Sequence, residues 1–248
     1  MSIESPRDLE GLKAAGRVVR LALEAMRAAV AAGVTTGQLD AIGASVLAAH
    51  GARSAPNLTY GFPGANCISV NDEAVHGVPG DRRLDVGDLV KLDVTAELDG
   101  YMADAAVTVP VSPAEHVARA LCRCAERALS VAMAHARAGS STRDIGRVVE
   151  HEVERCNFRV LRELSGHGIG RTIHEPPNVP NYDAGGCGAP LTAGLVLTIE
   201  PIIAVGTRQT RLSGDGWTIV TADGSLSAHF EHTVVIRDGA APLVLTAA

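Results

Sequence analysis

From about position 8 to 32 the chain is Ala-rich, and its apolar residues recur at helical spacing until Gly33 breaks the run. Thr35-x-x-Gln38 then forms a capping box, which predicts a second helix to about 50. A segment rich in Pro, Asn and Gly follows through Tyr60-Gly-Phe62-Pro and reads as a loop leading to a short strand at 67–71. After a loop carrying His76, two alternating apolar runs flank Asp99-Gly100, the signature of a hairpin with a type I′ turn. Ser112-Pro113 opens a third long helix to about 138, Gly139 stops it, and Ser141 or Thr142 starts a fourth to about 156. The remainder reads as strand and loop, with long loops around 167–188. Long helix, shorter helix and then strands thus occur twice, which predicts an α+β fold.

Four acids interrupt the apolar runs: Asp93, Asp104, Glu200 and Glu231. An ionised carboxylate in such a setting is costly unless a positive charge meets it. The only basic residue within these segments is Lys91, two before Asp93 and so on the same strand face. Divalent metal is the economical partner for so many oxygens. The hairpin fixes one pair. With Leu98 opposite Tyr101, Asp104 faces Thr95, and Asp93 is its diagonal neighbour at about 7–8 Å between backbones. Two acids on a solvated edge strand would be the ordinary alternative; the flanking hydrophobicity and the second acid pair argue against it.

Histidine adds nitrogen donors. His167 sits among glycines in Ser-Gly-His167-Gly-Ile-Gly, and His174 is followed by Glu-Pro-Pro. His76 lies in another glycine–proline loop, while His50, His116, His135 and His151 fall on helices and read as ordinary packing or solvated residues. His229 and His232 flank Glu231 and could support it, but alternation turns His232 to the opposite face. Five cysteines without a Cys-x-x-Cys pair read as free thiols; Cys67 could line a pocket or simply fill the core. His151-Glu-Val-Glu-Arg155 is no zincin helix, because Arg155 replaces the second histidine, and no P-loop or nucleophile elbow is present.

The net charge of −6 gives no nucleic-acid footprint, and no apolar run reaches the roughly 18 residues of a membrane span. The N-terminus lacks signal-peptide character, so a cytoplasmic protein is expected. The segment around Gly33 resembles that around Gly139 at an offset of 106, and Asp93 displaced by 106 falls one short of Glu200. The expectation is a single domain over 1–248 built of two related halves, approximately 8–110 and 112–240, around a shared site.

Asp93 and Asp104 eleven apart, Gly-His167-Gly-Ile-Gly with His174-Glu-Pro-Pro, Thr-Ile-Glu200-Pro and Phe-Glu231-His-Thr together resemble the type I methionine aminopeptidases, across nearly the whole chain. The resemblance implies the pita-bread fold: two pseudo-symmetric halves of helices packed on a curved antiparallel sheet, with two divalent ions (Co, Mn, Fe, Ni or Zn) between them. It implies that Asp104 and Glu231 bridge the metals, that Asp93 completes one shell, and that His167 and Glu200 complete the other. The implied activity is hydrolytic removal of the initiator methionine before a small second residue. A water shared by the metals would attack the scissile carbonyl. Glu200 would shuttle its proton, and His174 and His76 would contact the substrate. Tyr60, Phe62, Cys67 and Trp217 would form the side-chain pocket.

This chain departs from the family at Ile173, where an aromatic is usual, at Phe62, where Tyr is common, and at Val75, where many bacterial members have Cys. No N-terminal zinc-binding or linker extension is expected. Implied partners are nascent polypeptides, with transient ribosome contact and a monomeric enzyme, and neither membrane nor specific nucleic acid. An Xaa-Pro aminopeptidase or prolidase of the same fold is the alternative, and a non-catalytic binding paralogue a more distant one. The latter would be marked by lost ligands, and all five are present.

Overall fold

A computed structural model describes residues 1–247. Helix α1 spans Pro6–Ala29 and α2 spans Thr36–Ala49; the Thr35 capping box is formed in full. Between Ser54 and Gly61, where sequence suggests only loop, a short helix α3 covers Ala55–Tyr60. Its signals are local: the Ser54 hydroxyl caps Asn57 N–H, Pro56 occupies the first turn, and Gly61 closes the helix in the left-handed region. Helix α4 runs over His116–His135 and α5 over Thr142–Arg155, the latter opened by a Ser141–Asp144 capping box. The expected start of α4 at Ser112-Pro113 is too early. The residue before a proline disfavours helical backbone, and the helix begins after Glu115.

All strand pairings are antiparallel among the described residues. Leu89–Leu98 and Tyr101–Pro110 form the hairpin in the expected register, with Leu98 opposite Tyr101 and Thr95 opposite Asp104. Asp99 and Gly100 both adopt positive φ, 51° and 81°, as a type I′ turn requires. Cys67–Val70 joins the other edge of Leu89–Leu98. A five-stranded sheet orders Leu243–Val244, His232–Val235, Val196–Ile199, Ser165–Gly168 and Glu175–Pro180. Its last two strands occupy part of the region expected to be long loops. Prolines 176, 177 and 180 obscured the signal, yet they are tolerated because Glu175–Pro180 is an edge strand.

The two largest apolar cores lie behind these sheets. Leu39, Val19, Met26, Ile68, Leu92 and Val94 belong to the core under α1 and α2. Leu121, Leu129, Ile145, Val149, Leu197 and Ile199 belong to the one under α4 and α5. The helix pairs are tied down in matching ways. Gly33 N–H donates to Leu84 O and Gly139 N–H to Leu191 O; Thr36 Oγ1 accepts from Gly80 N–H and Thr142 Oγ1 from Ala189 N–H. The halves meet where Tyr101–Pro110 runs against 229–233. Asp104 N–H donates to Thr233 Oγ1, Glu231 N–H to Ala106 O and His229 N–H to Thr108 Oγ1. These contacts step by two residues in opposite directions, so they carry Asp104 and Glu231 to one place.

Candidate functional site

A cavity of about 720 Å³ opens at this junction. Its lining includes all of the residues singled out from sequence: Tyr60, Phe62, Cys67, His76, Asp93, Asp104, His167, His174, Glu200, Trp217 and Glu231. Asp104 and Glu231 are buried, whereas Asp93 is partly open to the cavity.

Each donor is aimed by its neighbours. His167 N–H donates to Thr198 Oγ1 at 3.0 Å, and its Nδ1 stands 2.9 Å from Gly168 O. A carbonyl can only accept, so Nδ1 carries the proton and Nε2 presents a lone pair to the cavity. Thr198 spends its own proton on Glu200 Oε1 at 3.1 Å, while Asn181 Nδ2 donates to Glu200 O at 2.8 Å. One hydroxyl therefore positions both His167 and Glu200. The glycines around His167 are needed for close approach: a Cβ at Gly166 would fall 2.6 Å from Thr198 O, and one at Gly168 2.3 Å from Pro176 O.

His167 Nε2 lies 3.5 Å from Glu200 Oε1. Asp104, His167 and Glu231 can each offer a ligand atom within 4.8 Å of the others. A second such group comprises Glu200, His229 and Glu231, so Glu231 belongs to both. His229 is the residue that sequence reasoning undervalued. The signal was present, because it precedes Glu231 by two, a spacing that keeps both side chains on one face of an extended segment. His232 instead turns away, its Nδ1 2.9 Å from Thr246 Oγ1. Lys91 is buried but does not serve the acids: its Nζ donates to Asn71 O at 2.7 Å and to Ser227 Oγ at 3.2 Å.

The electrostatics state the problem sharply. Burial, reinforced by Asp104 and Glu200, pushes the Asp93 carboxyl well above its usual range. Burial raises Asp104 to about 7, and burial together with neighbouring carboxylates raises Glu200 and Glu231 well above theirs. Burial depresses His167 to about 4, leaving it a neutral donor. Asp104 Oδ1 and Glu231 Oε1 are buried without any hydrogen-bond partner. Only imidazoles approach Glu200 and Glu231 within ion-pair range among the described residues. Orphaned carboxylate oxygens, clustered with neutral imidazole nitrogens, fit a divalent cation centre.

The wall opposite is apolar and aromatic. Phe62, only 2% exposed, meets Trp217 edge-on with ring centroids 5.4 Å apart, and Cys67 and Ile173 also line the cavity. Tyr60 Oη lies 2.6 Å from His174 Nδ1, and the His174 ring stands edge-on to His167 at 4.2 Å. His76 sits at the rim in the left-handed region, φ 57°.

The chain matches the model of metallopeptidase family M24 over residues 10–238. It is 42% identical to methionine aminopeptidase 2 of Bacillus subtilis over 248 residues, covering 99% of both chains. It is 38% identical to the Escherichia coli methionine aminopeptidase over 240 residues, covering 96% of this chain and 91% of that one. The solved methionine aminopeptidase of Thermotoga maritima superposes with a TM-score of 0.96 at 35% identity, covering all of both chains. The prolidase of Pyrococcus furiosus shares the fold alone, with a TM-score of 0.79 at 21% identity over 99% of this chain and 65% of that one. A pita-bread α+β fold with a carboxylate–imidazole cluster at its centre thus agrees with a family match spanning nearly the whole sequence: the chain belongs to metallopeptidase family M24.

Proposed function

We propose that this chain is a divalent-metal-dependent aminopeptidase that removes N-terminal methionine when the second residue is small. The observation that carries the reading is the meeting of an unpaired carboxylate cluster with an apolar wall in one cavity. Asp93, Asp104, His167, Glu200 and Glu231 would hold two divalent ions; such mixed oxygen and nitrogen sites accept Mn, Fe, Co, Ni or Zn. Bound there, the ions supply Lewis acidity, polarising the scissile carbonyl and acidifying water.

The remaining steps belong to side chains. Asp93, open to the cavity, faces the free amino group and confines the enzyme to chain ends. Phe62, Cys67, Ile173 and Trp217 receive an unbranched thioether side chain, which suits a narrow apolar slot. Glu200 takes the proton of the attacking water and returns it to the leaving amine. Tyr60 on His174 Nδ1 fixes that ring, so Nε2 can stabilise charge developing on the scissile group, while His76 at the rim steadies the peptide. The natural source of such substrates is the nascent chain, which places the work in the cytoplasm in transient contact with ribosomes. Every residue assigned a role here comes from one chain, and a monomeric enzyme is proposed.

The test is a peptide panel varying the first two residues, assayed before and after chelation. Met-Ala-Ser should be cleaved fastest, with activity lost on chelation and restored by added divalent ion. Fastest cleavage of Xaa-Pro peptides lacking methionine would replace this reading with the proline-directed one. Full activity with no metal bound would remove the mechanism.

A further inference from the structure

The mechanism above leaves a buried imidazole of the cavity unused, that of His229. It is 2% exposed, and neither ring nitrogen has a hydrogen-bond partner. A buried polar ring in that state is costly unless something meets it. Nε2 lies 3.5 Å from Glu231 Oε2 and 3.6 Å from Glu200 Oε2. Both separations exceed the roughly 2.9 Å of a good N–H···O bond, so the ring is not simply bonded to either acid. They approach what two donors on one cation show. Ligands bonded at about 2.1 Å stand roughly 3.0–3.4 Å apart for octahedral to tetrahedral angles.

The ring is carried on a rigid support. His229 ends the strand Ser227–His229 and pairs with Ile202. Its N–H donates to Thr108 Oγ1 at 2.8 Å, and Thr108 Oγ1 donates to its carbonyl at 2.8 Å. Lys91, the nearby buried cation, is committed to Asn71 and Ser227. Nothing else in the described chain satisfies the ring.

We propose that His229 Nε2 is a further protein donor to a divalent cation held with Glu200 and Glu231, beyond the five ligands named above. The inference rests on the metal-centre reading of the cavity. A second imidazole adds no charge but adds nitrogen character. It therefore biases the centre toward borderline ions such as Co²⁺, Ni²⁺ and Zn²⁺ over Mn²⁺.

The test uses the full chain, stripped of metal and titrated with Co²⁺, read by proton NMR in the paramagnetically shifted region. Two exchangeable imidazole N–H signals are expected from the wild type, one from His167 and one from His229. His229→Gln should retain one, with Co²⁺ binding by calorimetry weakened at least ~10-fold and Mn²⁺ binding weakened less. A single shifted imidazole signal in the wild type overturns the proposal, as does His229→Gln with unchanged Co²⁺ affinity. Should that variant not fold, the wild-type signal count decides by itself. Failure of the wild type to bind Co²⁺ at all would overturn the metal-centre reading as well, an outcome distinct from binding with one imidazole.

Discussion

In the first half of the molecule Asp93 and Asp104 stand on one hairpin, whose two ten-residue strands pair without a break across a type I′ turn. In the second half His167, Glu200 and Glu231 come from three separate segments. Glu200 directly follows Val196–Ile199, Glu231 lies between two short strands, and His167 sits where its strand bulges. Local turn chemistry places the first pair of donors. Long-range hydrogen bonds through Thr198, Asn181 and the strand Tyr101–Pro110 place the second set. Damage in the first half should therefore appear as lost stability, and damage in the second as lost chemistry at nearly unchanged stability.

Glu200→Gln offers the largest effect. It keeps the shape but removes the proposed proton carrier, so kcat for Met-Ala-Ser should fall about 10²–10⁴-fold while circular dichroism stays unchanged. An unaltered kcat would take Glu200 out of the mechanism. Thr198→Val comes next, since it removes the hydroxyl that aims both His167 and Glu200. Calorimetry should record divalent-ion affinity about 10–100-fold weaker; equal affinity would mean the second half is aimed by something else.

Gly100→Ala probes the first half. Gly100 has φ 81°, where a Cβ is strained at a cost of about 1 kcal/mol, but no neighbour within 3.4 Å blocks it. Tm should drop by roughly 2–4 °C with metal affinity unchanged, and a loss of affinity would break the contrast. Asp8→Asn tests the seam and should have the smallest effect. Asp8 accepts from Ser5 and from Tyr101 of the hairpin, each at 2.9 Å, and from Arg171 of the other half at 2.8 Å. The Ser5 and Tyr101 hydroxyls hold its carboxyl below the usual range. A depressed folded pKa stabilises above the unfolded value of about 3.9 and the benefit is lost as pH falls through the folded one. The wild type should thus melt above the variant at pH 7, with the gap closing toward pH 3. A constant gap would assign the effect to packing.

The same contrast governs what could be read from the sequence. The hairpin, its register and the diagonal of Asp93 and Asp104 follow from Asp99-Gly100 alone, because a two-residue turn fixes every pair above it. The Thr35 capping box and the start at Ser141 or Thr142 place two helices to within a residue or two. All proposed donors and pocket residues converge on one cavity. Helix α3 was missed although Ser54, Pro56 and Gly61 signal it, since the loop-like composition between them dominated. The edge strand Glu175–Pro180 was hidden by its prolines. His229 was undervalued because its partners, Glu200 and Thr108, are distant in sequence and brought close only by the meeting of the halves.

Trp217 has a consequence of a different kind. It is the only tryptophan in the chain and forms part of the cavity wall, edge-on to Phe62. Near-ultraviolet emission excited beyond the tyrosine band therefore originates at one address in the molecule. A side chain entering beside Phe62, or a paramagnetic ion settling among the carboxylates, alters the light from that ring with no background from elsewhere. The protein carries its own optical gauge of what occupies its centre.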